Sequence, residues 1–131
     1  MSPVFERFVV PGNAQVELSA VDARTYPEWP TGAEAAVADA STVAIATRPA
    51  IEGPVRIIVG EDLGIAVTEG WSLVFEGALI STGGRYRVGS GISADLFDAP
   101  ISATRMRVRV FVRPLIEPVD IAFETIPDPE P

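Results

Sequence analysis

Apolar and polar residues alternate with a period of two along much of this chain. In Arg105-Met106-Arg107-Val108-Arg109-Val110 three guanidinium groups fall on one side and three apolar side chains on the other. That is the pattern of a strand with one wet and one buried face. Asp120-Ile121-Ala122-Phe123-Glu124 repeats the alternation with acids in place of cations. The intervening Pro114-Leu115-Ile116-Glu117-Pro118 is short enough to close a hairpin, a pairing that would bring Arg107 near Glu124 across the two strands. Shorter β-branched runs predict further strands, so that the full set is Val4 to Val10, Gln15 to Arg24, Thr42 to Thr47, Val55 to Gly60, Ser72 to Leu79, Arg85 to Val88, Thr104 to Arg113 and Val119 to Ile126. Turn formers separate them: Pro11-Gly12-Asn13, Glu52-Gly53-Pro54, Gly83-Gly84 and Gly89-Ser90-Gly91. About eight strands, each with one solvated face, predict an all-β fold, an antiparallel β-sandwich.

One stretch breaks the pattern. Thr31-Gly32-Ala33-Glu34-Ala35-Ala36-Val37-Ala38-Asp39-Ala40 is rich in helix formers, and Thr31 with Glu34 three positions later has the spacing of a capping box. A short helix or helical turn is expected near residues 31–40. It follows an aromatic and proline cluster, Tyr26-Pro27-Glu28-Trp29-Pro30. With no shift of composition and no repeat, residues 1–126 read as a single sandwich domain. Pro127-Asp128-Pro129-Glu130-Pro131 lacks the N–H groups a ladder needs and reads as a flexible acidic tail.

Composition narrows the chemistry. The 131 residues are 47% hydrophobic, enough for one core without disulfides or metals. Histidine, cysteine and lysine are all absent, and 18 acids outnumber 10 cations, every one an arginine, for a net charge of −8. No imidazole, thiolate or amine is therefore present to serve as proton shuttle, nucleophile or Schiff base. Serine catalysis has no histidine or lysine base, and Gly89-Ser90-Gly91 has no Walker lysine beside it. Paired-carboxylate hydrolysis stays open in principle, but the acids are scattered. Asp95 with Asp98, and Glu61 with Asp62, offer oxygen ligands but too few for a calcium site. No catalytic residue, no metal site and no cofactor is assigned.

The arginines at 85, 87, 105, 107 and 109 lack the interleaved aromatics of a nucleic-acid surface, and the net charge repels polyanions. They read as solvated sheet arginines answered by acids. No apolar run is long enough to span a membrane and no secretory leader is visible at Met1-Ser2-Pro3-Val4, so the expectation is a cytoplasmic protein that binds neither nucleic acid nor membrane. The fitting partner is a basic protein surface.

The candidate partner-binding residues are Tyr26, Glu28, Trp29, Glu34 and Asp39. Two aromatics held between prolines and flanked by acids make a rigid anchor with steering charge. A second reading has Trp29 plugging one end of the sandwich, and both stay open.

A Trp-containing loop (Trp29) leads through Gly32 and Ala36 to Asp39-Ala40 and at once into the strand Thr42-Val43-Ala44-Ile45-Ala46-Thr47. Ser72-Leu73-Val74-Phe75, the link Ser90-Gly91-Ile92-Ser93-Ala94 and the step Leu96-Phe97-Asp98-Ala99-Pro100 then precede the long strand from Thr104. In this order of elements, over roughly residues 15–126, the chain resembles the competence protein J family, small cytoplasmic inhibitors of a DNA-entry nuclease. Where the family enters that strand by Pro-Gly-x-Tyr, this chain has Pro100-Ile101-Ser102-Ala103. The resemblance implies a nuclease inhibitor of immunity-protein type, with Glu28, Glu34 and Asp39 standing in for a DNA backbone and Tyr26 and Trp29 anchoring the contact. The alternative is a structural module, such as a phage or surface-array component, that self-associates. The oligomeric state stays open.

Overall fold

Alternation along each strand sorts its side chains between one shared interior and two outer faces, and ten strands result. The computed structural model describes residues 4–65, 69–91 and 94–127. In chain order the strands are β1 (Phe5–Val9), β2 (Gln15–Ala20), β3 (Ala36–Ala38), β4 (Thr42–Ala46), β5 (Val55–Gly60), β6 (Ser72–Ile80), β7 (Arg85–Ser90), β8 (Asp95–Ser102), β9 (Arg105–Arg113) and β10 (Asp120–Pro127). They form two five-stranded sheets, ordered β1-β5-β10-β9-β6 and β3-β4-β2-β7-β8. Every neighbouring pair is antiparallel except β5 with β10, which run parallel. This is the all-β sandwich the alternation predicts.

Between the sheets lie Val9, Val16, Leu18, Val43, Ile45, Val55, Ile57, Val59, Tyr86, Val88, Met106, Val108, Val110, Ile121 and Phe123, all but sealed from solvent. Each fully buried side chain of this size contributes about 1.5–3 kcal/mol. The seam where edge strands β1 and β8 meet is closed by Phe5 stacked on Phe97 at 4.7 Å, with the Arg7 guanidinium 4.6 Å over the Phe97 ring.

Several expectations need correction. Residues 31–40 form no helix. The Glu34 carboxylate does accept one capping-box bond, from the Thr31 backbone N–H (3.1 Å), but it also takes the Thr31 hydroxyl (2.6 Å) and the Gly32 N–H (3.0 Å). These bonds close a turn around Gly32, which sits at φ +80°. The chain then pairs Ala36–Ala38 with β4, whose open edge offers a hydrogen-bond ladder at once. An isolated two-turn helix must first meet its nucleation cost.

The second correction is β8, which was not among the expected strands. Its Phe97 and Ala99 are buried, and Pro100 is tolerated because β8 is an edge strand. Third, Glu124 lies opposite Arg109, 3.4 Å away, and Arg107 faces Ile126. Fourth, β2 stops at Ala20 because the Ala23 N–H turns back to the Ala20 carbonyl. β10 continues through Pro127, opposite Met106. The rest of the expected tail, 128–131, lies outside the described residues.

Two connections fold over the outer faces. From the β5–β6 connection, Leu63, Ile65 and Trp71 pack with Ile58, Phe111 and Ala122 on the first sheet. There the Leu63 N–H donates to Glu124 (3.0 Å), and the Arg113 guanidinium lies 4.4 Å over Trp71. The β2–β3 connection covers the second sheet and carries the candidate residues. Parallel pairing of β5 and β10 brings the loops that enter them, 47–54 and 114–119, to the same end of the sandwich, where Pro118 accepts from the Arg48 N–H (3.1 Å). That end is called the entry end below.

Candidate binding surface

Strand β2 alternates Val16 and Leu18 inward with Gln15, Glu17 and Ser19 outward. An outward acid on an ordinary sheet is solvated, yet Glu17 is only 8% exposed, and Ala44 opposite it on β4 is fully buried. The β2–β3 connection supplies the cover. The Tyr26 hydroxyl donates to Glu17 Oε1 (2.8 Å) and accepts from Gln15 Nε2 (3.0 Å). Burial, and then the hydrogen bond and charge of Glu17, push the Tyr26 phenol well above the ordinary tyrosine range.

The predicted residues divide in two. Tyr26, Glu28, Trp29 and Glu34 lie on the part of the layer that runs toward the entry end, since Tyr26 bonds to Gln15 and the Ala35 carbonyl accepts from the Ala46 N–H. Glu28 is exposed. Trp29 is half-buried, and its indole N–H is enclosed without a hydrogen-bond partner among the described residues. Asp39 sits at the opposite end, beyond β3. It accepts from the backbone N–H groups of Ser41 and Thr42, both at 2.9 Å, and from the Thr25 hydroxyl at 2.9 Å.

These bonds fix the charge states. For Glu34 the Thr31 hydroxyl bond outweighs desolvation and holds the carboxyl below the usual carboxylate range. For Asp39 desolvation opposes ionisation, but the Ser41, Thr25 and Thr42 donors together prevail and the carboxyl is again held low. Asp22, which no motif singles out, behaves alike: desolvation is overcome by donors from Ser81 (3.1 Å) and Thr82 (3.0 Å). Beside it is an open cleft of about 430 Å³ lined by Asp22, Arg24, Ser41, Ile80 and Thr82.

Sequence reasoning therefore missed Glu17 and Asp22. Glu17 sits in a plain alternating strand, and only the return of a distant segment over that strand makes its carboxylate buried. Among the described residues no group of three or more acids could hold a metal ion, and no helix is long and apolar enough to cross a membrane. The arrangement presents a half-exposed tyrosine over a buried carboxylate, with the Glu34 and Asp39 carboxylates fixed by hydrogen bonds in the same layer. Compared with known proteins, the chain matches no protein-family model, no curated sequence and no solved structure.

Proposed function

We propose that this is a non-enzymatic, acidic binding protein of the cytoplasm that inhibits a basic partner, above all a nuclease. The observation that supports the reading is the β2–β3 layer, where hydrogen bonds hold the Glu34 carboxylate ionised and in place on the part that carries Tyr26, and hold Asp39 likewise at the other end. A nuclease cleft is cationic because it holds phosphates. Carboxylates fixed before encounter lose little freedom on binding and steer the approach. The resemblance to competence protein J points the same way.

The test is DNA hydrolysis by a panel of purified cationic nucleases, with and without the protein. Inhibition is expected to weaken with salt, and Glu28→Arg is expected to slow association while leaving folding intact, because Glu28 is exposed and makes no ion pair among the described residues. Full activity across the panel, or an on-rate unchanged by Glu28→Arg, removes the reading. A self-associating assembly module is the second reading, favoured by edge strand β6. It is nine residues long, free of proline, charged only at Glu76, and exposes Leu73 and Ile80. Concentration-dependent oligomers in light scattering would decide for it.

A further inference from the structure

The entry end carries a pair of similar loop tips. The sequence Pro49-Ala50-Ile51-Glu52-Gly53-Pro54 precedes β5, and Pro114-Leu115-Ile116-Glu117-Pro118 precedes β10. Parallel pairing of those strands sets the tips side by side. Both present apolar side chains to solvent: Ile51 is 94% exposed, Ile116 80% and Leu115 53%. Neither tip is loose. Ala50–Glu52 forms a 3-10 turn closed by the Gly53 N–H on the Ala50 carbonyl (3.0 Å), and the Arg48 side chain braces it from beneath on the Pro54 carbonyl (2.6 Å). The second tip is closed by the Val119 N–H on the Arg113 carbonyl (3.1 Å).

Isoleucines held this far into water on two ordered tips make an apolar patch with nothing of the fold to cover it. The charge around it selects the occupant. Glu52 and Glu117 directly follow the two isoleucines, are exposed, and make no ion pair among the described residues. Of the nearby cations, Arg113 is answered by Asp120 at 3.0 Å, while Arg48 keeps its charge on the neutral Pro54 carbonyl, so the two exposed acids outnumber one unanswered cation. A second copy of this chain, at −8, would bring acids against acids, and an anionic bilayer is repelled in the same way.

We infer that Ile51, Leu115 and Ile116 with Glu52 and Glu117 form a docking surface for a protein that offers an apolar slot rimmed by arginine or lysine. This rests on the reading of a cationic partner and adds a contact face distinct from the Tyr26 layer.

The test uses the full chain, isotope-labelled, titrated with a synthetic amphipathic peptide of leucines flanked by arginines. The same peptide with glutamates for arginines, and vesicles of phosphatidylcholine alone, are the controls. Amide shifts confined to 49–54 and 114–118 are expected, with affinity falling at least about tenfold in the Ile51→Ser/Ile116→Ser variant and its unfolding midpoint unchanged. Glu52→Gln/Glu117→Gln is expected to weaken the salt dependence. Shifts elsewhere, none at millimolar peptide, equal binding of the acidic peptide, or adsorption to vesicles through the tips overturns the inference. If the nuclease panel shows no inhibition while the tips still take the cationic peptide, the nuclease reading falls and the docking surface stands. Nuclease inhibition that survives unaltered in Ile51→Ser/Ile116→Ser removes the docking surface instead.

Discussion

Removing the Asp39 carboxylate separates its structural role from any role in recognition. In Asp39→Ala the Ser41 and Thr42 N–H groups and the Thr25 hydroxyl each lose an acceptor at 2.9 Å. A hydrogen bond to a charged group is worth about 1.5–3 kcal/mol net, an upper limit for each of the three. The side chain is partly exposed, so water replaces much of what is lost and solvent screens the charge. Deleting an aspartate that caps a helix leaves the same backbone donors bare and costs about 0.5–2 kcal/mol, so about 1–2 kcal/mol is expected here. Asp39→Asn keeps an oxygen for Ser41 and Thr42 and is expected to recover at least about half of the loss.

The assay is urea unfolding followed by tryptophan fluorescence, with a shifted midpoint and unchanged slope. The pH dependence has a definite sign. The folded-state pKa of Asp39 is depressed, so its contribution is whole above the unfolded value of about 3.9 and disappears as pH falls through the folded one. The gap between wild type and Asp39→Ala should therefore narrow progressively as pH falls below the unfolded value. Wild-type stability in Asp39→Ala, or a gap that stays the same size as pH falls below the unfolded value, refutes the assignment.

Two further outcomes follow from single contacts. Tyr26→Phe removes the hydroxyl that Glu17 accepts (2.8 Å) and is expected to cost about 1–2 kcal/mol in urea unfolding. Because the Tyr26 pKa is raised, this contribution is whole below about pH 10 and is lost as pH rises through the folded value. An ultraviolet titration in which both tyrosines ionise at the ordinary value would refute the contact. Gly89→Ala is expected to cost about 2–5 kcal/mol, the sum of an unfavourable backbone conformation and overpacking. Gly89 has φ +133°, and an added Cβ would overlap the Asp95 carbonyl oxygen on β8. An unchanged unfolding midpoint would show that β7 and β8 are not paired as described.

The strands that alternate most regularly were legible in the sequence for a physical reason. In β9 and β10 a period of two under one buried face leaves a single way to sort the side chains. Register was not legible. Pairing Arg107 or Arg109 with Glu124 differs by two residues, which keeps every side chain on its face, so alternation cannot choose between them. Asp120 opposite Arg113 sets the choice, with the Arg113 guanidinium on the Asp120 carboxylate (3.0 Å). The alanine-rich run misled because propensity is local, whereas β3 exists only because β4 has an open edge. β8 was hidden by Asp95, Asp98 and Pro100, all acceptable on an edge strand but poor strand signals in isolation. The residues of the candidate layer were visible as a cluster. Their division between two ends of the sandwich was not, because it depends on Ala35 meeting Ala46 and on Thr25 meeting Asp39.

The distribution of charge gains meaning from that division. On the outer face of the first sheet the arginines are largely answered: Arg56 by Glu6 (3.4 Å) and Asp120 (3.0 Å), Arg109 by Glu124 (3.4 Å), and Arg113 by Asp120 and Trp71. At the entry end Glu28, Glu52 and Glu117 are exposed without ion pairs among the described residues. These three acids give the entry end unanswered negative charge. With no histidine or lysine and with arginine charged throughout, no side chain titrates between the carboxylates and the tyrosines. Hydrogen bonds hold Asp22, Glu34 and Asp39 below the ordinary carboxylate range, so these three keep their charge further into acid. The field at the entry end is thus fixed across neutral pH and open to screening by salt, so a cationic partner would be admitted or released by ionic strength rather than by protonation.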